Sequence, residues 1–355
     1  PNSSVESVYS SLPGFAETGL PETFVMEGKK GAVPEKVREY RLDSRPLIDR
    51  ELTNRAMSFM EANKKKPFFI YLAHYLVHGP WSPNKAFCTP AEWASVQKRK
   101  GGMNPTALPA MVRELDHHVG LVLAALKELG IEQETLVIFA SDNGPWLPAG
   151  SAHPLSGGKY TTMEGGHRVP AIMRWPGRIP AGQVSDQLVS ALDVLPTIAA
   201  ATGAPMPADR KYDGHNLMPM LSGKTDQSPR QEFAYYNGLT LEAIRRGPWK
   251  LHLPRKAAHR VYWAQHPKKI YLNLDRAVLN NLADDISEKG NLTEIHPEQT
   301  KELQKLAAEI RSELGDWNME GTDRPAYSYP GNLNNPNWRK ERRRAPAKQK
   351  QPGTR

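Results

Sequence analysis

The sequence predicts an α/β protein: a mostly parallel sheet flanked by helices, followed by a smaller α+β subdomain. Two observations carry this reading. Short apolar runs alternate with amphipathic helical stretches up to about residue 225, the order of a sheet covered on both faces. Beyond that point short strands follow one another with turns between them, and one helix closes the series.

The elements are read in chain order. Residues 1–46 mix Ser, Pro, Gly and charges without sustained periodicity and read as an irregular lead-in. Ile48, Leu52, Ala56, Phe59 and Met60 then recur at helical spacing. Lys64-Lys65-Lys66-Pro67 ends that helix, with cations at its negative end. Phe68-Phe-Ile-Tyr-Leu72 reads as a buried strand. Leu108, Met111, Leu115, Val119, Val122, Leu126 and Leu129 mark one face of a long helix, with Gly130 as its stop. Leu136-Val-Ile-Phe-Ala140 is the next strand, and Val169-Pro-Ala-Ile-Met173 another. A helix is expected over 194–201, capped by Asp193.

In the smaller subdomain, Phe233–Asn237, Leu241–Arg245 and Trp249–Leu253 read as strands, and Pro297–Leu314 as the final helix. The resulting division is a lead-in (1–46), a larger α/β region (47–225), the subdomain (226–320) and a basic tail (321–355). No repeat of fixed period is found.

The net charge of +9 is concentrated in that tail. Arg339–Arg355 holds eight Lys or Arg and one Glu, so the other 338 residues carry about +2. The body is thus close to neutral, which argues against nucleic acid as the partner. The tail reads as solvated and disordered, with adhesion to a polyanion as the sharper alternative. No run of about 18 apolar residues is present, so no membrane-spanning helix is expected. No signal peptide is read at the start. Cys88 is the single cysteine, which excludes an internal disulfide and a multi-cysteine zinc site.

In open α/β sheets, ligands bind beyond the carboxyl ends of the strands. Three polar clusters follow strands in this way: His74 to Pro80, Ser141 to Pro145, and Leu155 to Pro170. Asp142 and Asn143 offer hard oxygen ligands suited to Ca²⁺ or Mg²⁺, although Asp-Asn-Gly is also an ordinary turn. His74 and His78 are four apart, but the Gly79-Pro80 loop argues against a helical zinc pair, and His74 reads as a core or loop histidine. Lys159 stands in a Gly-Gly-Lys turn, where the backbone can approach an anion and the lysine supplies charge. Its glycine spacing is not that of a Walker loop.

Taken together, these clusters resemble the type I sulfatases, formylglycine-dependent sulfuric ester hydrolases of the alkaline phosphatase superfamily. The resemblance runs from about Leu47 to Leu314. It is carried by Pro67-Phe-Phe-Ile-Tyr-Leu-Ala-His with Val77-His-Gly-Pro80, by Glu114-Leu-Asp-His-His-Val-Gly120, by Thr135-Leu-Val-Ile-Phe-Ala-Ser-Asp142-Asn-Gly144, and by Gly157-Gly-Lys-Tyr-Thr-Thr-Met-Glu-Gly-Gly-His-Arg-Val-Pro170. Arg174-Trp-Pro-Gly-Arg-Ile-Pro180, Asp193-Val-Leu-Pro-Thr197 and Arg246-Gly-Pro-Trp-Lys250 continue it. The resemblance implies an alkaline-phosphatase-like fold whose N-terminal strands are missing. Residues 47–225 would be the C-terminal portion of the catalytic domain. It also implies roles: Asp142 and Asn143 as calcium ligands, Lys159 as the grip on the sulfate and its leaving oxygen, and His78 as the active-site histidine. Those residue types suit the reaction, because sulfate ester cleavage builds charge on oxygens that a metal and cations stabilise.

Two family parts have no counterpart in this sequence. One is the early pair of aspartates that completes the calcium site. The other is the Cys-x-Pro-x-Arg sequence whose cysteine becomes formylglycine. Cys88-Thr-Pro-Ala-Glu92 imitates three of its positions but puts Glu92 where arginine belongs, and it follows His78 instead of preceding it. It reads as a chance match. Asp284-Asp285 reads as surface solvation. The expectation is the C-terminal part of a larger sulfatase, inactive alone, with formylglycine supplied upstream. A sulfatase-like protein that has lost its nucleophile, and a polyanion-binding module acting through the tail, are the alternatives. The expected substrates are sulfated small molecules or sulfated polysaccharides, and the expected location is periplasmic, extracellular or lysosomal.

Overall fold

The computed structural model describes residues 23–41, 43–98, 104–147, 149–256, 273–316 and 319–322. The tail from residue 323 onward, with its basic run, lies outside the described residues. The chain divides into two compact units. The first comprises Pro1–Ala152, Val169–Gln187 and Leu192–Gln227, and the second His153–Arg168, Leu188–Ala191 and Ser228–Arg355. The segment that carries Lys159 therefore packs with the second unit.

The first unit opens with an antiparallel hairpin, Phe24–Glu27 against Glu35–Glu39. It was not legible as strand because Glu35-Lys-Val-Arg-Glu39 is mostly charged and exposed, with no apolar alternation. Helix Arg45–Asn63 follows, burying Ile48, Thr53, Ala56 and Met60 along one stripe. It packs on helix Leu108–Glu128, whose Ala110, Met111, Glu114, His118 and Leu126 are buried at the same periodicity. That helix stops where Gly130 takes φ +68°, a conformation costly for other residues.

The sheet differs from expectation. Strand Val137–Ala140 pairs with Ala171–Arg174 in antiparallel register, Val137 opposite Arg174 and Ala140 opposite Ala171. Residues 68–72 run without a ladder partner among the described residues, leaving Phe69 and Tyr71 exposed. A parallel neighbour needs a crossover that lays a helix along the sheet. Among the described residues, the connection between Ala140 and Ala171 contains only the single helical turn Glu164–His167, and the chain returns in the opposite direction. The α/β class stands, with helices and strands interleaved, but all strand pairs among the described residues are antiparallel.

Asp193 also differs in role. Helix Val194–Thr202 forms where expected, but the Asp193 carboxylate makes no cap bond to it. Asp193 Oδ1 instead accepts from the His215 backbone N–H at 2.8 Å, tying down the loop that follows the helix.

The second unit is an antiparallel meander of Glu232–Asn237, Thr240–Arg246, Trp249–His252 and Val278–Asn281, in that order. Arg246 faces Trp249 across a two-residue loop, Gly247-Pro248, with Gly247 at φ +55°. Glycine at the first loop position suits the twist of a tight hairpin. Helix Pro297–Leu314 covers the sheet, placing Leu303, Leu306 and Ala307 against Leu241, Ile244, Leu251 and Leu279.

Candidate active-site segments

His78 stands in an irregular loop after residues 68–72, and helix Arg45–Asn63 holds that loop from behind. Arg45 and Asp49, one turn apart on the helix, are both buried. Arg45 Nη2 donates to the His78 carbonyl at 2.5 Å, and its other terminal nitrogen donates to the Tyr40 hydroxyl. Asp49 Oδ1 accepts from the Tyr75 backbone N–H at 2.8 Å and lies 3.0 Å from His74 Nδ1. His74 is thereby oriented by a carboxylate inside the loop. The His78 side chain is exposed, with Nδ1 2.5 Å from the Gly79 carbonyl. A proton on Nδ1 satisfies that carbonyl and leaves Nε2 as the nitrogen that can take or give a proton.

Asp142 and Asn143 form the bend directly after strand Val137–Ala140. The bend is fixed by the Ser141 N–H donating to the Pro170 carbonyl at 3.3 Å and by Ser141 Oγ donating to the Asn143 carbonyl at 2.9 Å. Asp142 is exposed and Asn143 half-buried. The His78 loop and this bend approach one another. Trp81, three residues after His78, packs its ring 5.6 Å from that of Trp146, four residues after Asp142.

Lys159 lies in a tightly folded segment of the second unit. Thr161 is its centre: its N–H and hydroxyl both donate to the Gly158 carbonyl, at 3.0 and 2.8 Å. A β-carbon on Gly157, which has φ +74°, would stand 2.5 Å from Thr161 Oγ1, and one on Gly166 would stand 2.1 Å from the Thr161 carbonyl oxygen. Tyr160 also takes a left-handed conformation, φ +74°, at a cost of about 1 kcal/mol or more that the surrounding contacts must offset. The Lys159 ammonium lies 5.5 Å from the Tyr160 ring centroid.

Beneath this segment is a buried charge cluster that sequence reading missed. Lys250 is fully buried, with Nζ 2.9 Å from both Glu164 Oε1 and Glu288 Oε1. Tyr235 and Arg245 donate to Glu164 at 2.9 and 3.3 Å, and His252 Nε2 lies 2.8 Å from Glu288. Burial alone would raise the Glu288 carboxyl, but Lys250 and His252 outweigh it and hold it down at about 2. Glu164 is likewise held below the usual carboxylate range, Lys250 overcoming its burial. Burial opposes the Lys250 charge, but Tyr235, Glu164 and Glu288 together push its pKa up. One signal was available: Lys250 and His252 interrupt an otherwise apolar strand, Trp249-Lys-Leu-His252.

The donor chemistry of Asp142 and Asn143 fits a hard cation, but calcium takes six to eight oxygens and this bend offers two side chains. Among the described residues, no three His, Cys, Asp or Glu side chains form a group that could hold a metal. Cys88 is placed in another role. Thr89 and Glu92 form a reciprocal cap on helix Pro90–Lys98: the Thr89 N–H donates to Glu92 Oε2 at 2.7 Å and the Glu92 N–H to Thr89 Oγ1 at 3.2 Å. The Pro and Glu of the chance match are thus helix-start residues. Burial, and then Glu92, push the Cys88 thiol up, away from the thiolate a nucleophile needs.

Comparison with known proteins decides the family. The family model described as Sulfatase matches residues 15–204, more than half of the chain. The chain belongs to the sulfatase family. A second model, N-sulphoglucosamine sulphohydrolase, C-terminal, matches residues 158–313 and so includes Lys159 together with the meander. Among curated sulfatases, N-acetylgalactosamine-6-sulfatase of Mus musculus is 40% identical over 57% of this chain and 37% of its own length. N-acetylgalactosamine-6-O-sulfatase of Bacteroides thetaiotaomicron is 31% identical over 74% of this chain and 50% of its own. The chain therefore spans between a third and a half of these two sulfatases. A solved structure, the PsFucS1 sulfatase from Pseudoalteromonas sp., superposes with TM-score 0.66 at 26% identity, covering 80% of this chain and 57% of that one. Ps i-CgsB in complex with k-i-k-neocarrahexaose gives TM-score 0.64 at 26% identity, covering 86% and 62%. The fold is that of sulfatases, the alkaline-phosphatase-like α/β fold. Among the described residues no helix is long and apolar enough to cross a membrane.

Proposed function

We propose that this chain carries the sulfate-gripping residues and two metal ligands of a sulfatase active site, and that the protein containing it hydrolyses sulfate monoesters. The observation that supports this most directly is the separate anchoring of four reactive side chains. His78 is braced by Arg45 and Asp49, Asp142 and Asn143 are set at a strand end, and Lys159 rides on a segment bolted to the meander.

In this reading the Lys159 ammonium binds non-bridging and leaving oxygens of the sulfate. As an incoming oxygen nucleophile bonds to sulfur, the ester S–O bond breaks and its electron pair moves onto the departing oxygen. Protonated His78, or Lys159, gives that oxygen its proton. The Asp142 carboxylate and the Asn143 amide oxygen would hold Ca²⁺, which when bound neutralises charge on the sulfate oxygens. The family's formylglycine has no matching sequence among these 355 residues, so no step through it is derived. Substrates are proposed to be sulfated carbohydrates or aryl sulfates, met in the periplasm, outside the cell or in lysosomes.

The test has two parts. The 355-residue chain with an activated aryl sulfate and Ca²⁺ is expected to give no turnover above its Lys159→Ala variant. In an active sulfatase containing this chain, Asp142→Ala is expected to remove bound metal and most activity together. Full activity without metal in that variant would overturn the assignment.

A further inference from the structure

The segment carrying Lys159 is pinned to the second unit on both sides of the lysine. On one side, Ser156 Oγ donates to the Ser287 carbonyl at 2.5 Å, and Ser287 Oγ donates to the Pro154 carbonyl at 2.7 Å. On the other, Glu164 receives Lys250, Tyr235 and Arg245, while its N–H donates to Glu288 Oε2 at 2.7 Å. Between them, Thr162 Oγ1 donates to Glu242 Oε2 at 2.8 Å, and Asn237 Nδ2 donates to the Tyr160 carbonyl at 3.2 Å.

Lys250 joins the two carboxylates of this cluster, and its burial is the notable point. An apolar side chain of similar volume packed against neutral partners commonly stabilises a fold as well as a buried ion pair does. What an ion pair adds is direction, because each hydrogen bond fixes the angle and the depth of the group it holds. Met163 is the buried apolar side chain of segment 156–164, and the rest of the segment is held by these bonds.

We propose that Lys250 is a positioning residue for Lys159. Acting through Glu164, it sets where the Lys159 ammonium stands. This rests on the reading of Lys159 as the sulfate ligand, and the experiment separates the two.

The whole chain is compared with Glu164→Gln, with Lys250→Arg, and with the double variant Lys250→Met/Glu164→Gln, which removes the Lys250 and Glu164 charges together and leaves Glu288 beside His252. Two readouts are local: deuterium uptake of peptide 155–166, and the rate at which acetic anhydride modifies Lys159 with and without inorganic sulfate. Lys305, whose side chain is 81% exposed, is the internal reference. In the native chain, sulfate is expected to slow modification of Lys159 and not of Lys305. The double variant is expected to melt cooperatively, to exchange 155–166 about tenfold faster, and to lose the protection by sulfate. Lys250→Arg is expected to restore most of it.

A folded double variant with native exchange and native protection overturns the proposal. If the double variant does not melt cooperatively, Glu164→Gln decides, since it keeps the Lys250–Glu288 pair. Unchanged exchange and unchanged Lys159 modification in that variant also overturn the proposal. If sulfate fails to protect Lys159 in the native chain while the variants still alter exchange and modification rate, positioning stands and the sulfate reading falls.

Discussion

In the second unit, Leu241, Ile244, Leu251 and Leu279 form one sheet face, and Leu303, Leu306 and Ala307 of a single helix cover it. The first unit gathers its buried apolar residues into separate small groups, around Tyr40 and Ile48 and around Trp81, Ala107 and Met111. Phe69, Tyr71 and Ile172, on strand-like segments of the first unit, remain exposed. The second unit thus closes its own core, while the first presents apolar strand surface that nothing among the described residues covers. Charge follows the same contrast. The second unit pairs its buried ions through Lys250, whereas in the first Glu114 and His118 are buried 3.8 Å apart, with no hydrogen-bond partner for either His118 ring nitrogen among the described residues.

The contrast can be broken most forcefully at Lys250. Lys250→Met removes the buried cation that Glu164 and Glu288 share, leaving Arg245 at 3.3 Å on Glu164, a loss expected at about 3–5 kcal/mol. Amide exchange in helix Pro297–Leu314 should report it as lost protection. Glu114→Gln, which replaces a carboxyl raised to about 7 by burial and not ion-paired by any Lys or Arg among the described residues, should cost nothing or stabilise. Similar losses from the two variants would erase the distinction between the units.

Leu303→Ala comes next. The residue is fully buried at the helix–sheet contact, so denaturant midpoints should register a loss of about 2–5 kcal/mol. Leu195→Ala, at a position 55% exposed in the first unit, should stay within about 0.5 kcal/mol of the native chain.

Acidity should separate the units in sign. Burial raises the Glu114 carboxyl from 4.5 to about 7, so its contribution is full below 4.5 and is lost as pH rises through about 7. Burial holds His118 below the ordinary 6.5, so its contribution is present above 6.5 and lost on acidification. In the first unit the two oppose each other. In the second unit His252 is held low by burial, and Glu164 and Glu288 lie below 4.5. All three contribute stability at neutral pH that acid removes, His252 below 6.5 and the carboxylates below 4.5. Exchange protection measured from pH 7 to pH 4 should fall in peptides of the meander before it falls in helix Leu108–Glu128. Glu114→Gln should remove the acid-side gain of the first unit.

The smallest effect on stability should come from the exposed strand surface. Phe69→Ser with Tyr71→Ser should leave the melting midpoint within about 0.5 kcal/mol of native. Light scattering should show less aggregation, because exposed apolar strand surface invites edge pairing. Unchanged aggregation would mean that this surface is not the adhesive one.

Local pattern alone located helix Leu108–Glu128 and helix Pro297–Leu314 from their apolar stripes, and the hairpin loop at Gly247-Pro248. These features depend on neighbours three or four positions apart, or on one glycine, and such relations are written in the order of residues. The candidate site residues Asp142, Asn143, His78 and Lys159 were singled out on another ground, the resemblance of the runs around them to sulfatase motifs, since a run such as Asp-Asn-Gly by itself is an ordinary turn. The charged hairpin at 24–39 carried no such pattern. Strand direction was decided only by the tertiary structure, since Val137–Ala140 reads the same beside a parallel or an antiparallel neighbour. So was the attachment of Lys159, because Glu164 and Lys250 are 86 residues apart, and no local spacing says which of many buried carboxylates a lysine will meet. A buried charge must find a partner wherever the fold brings one, and that choice is made in three dimensions.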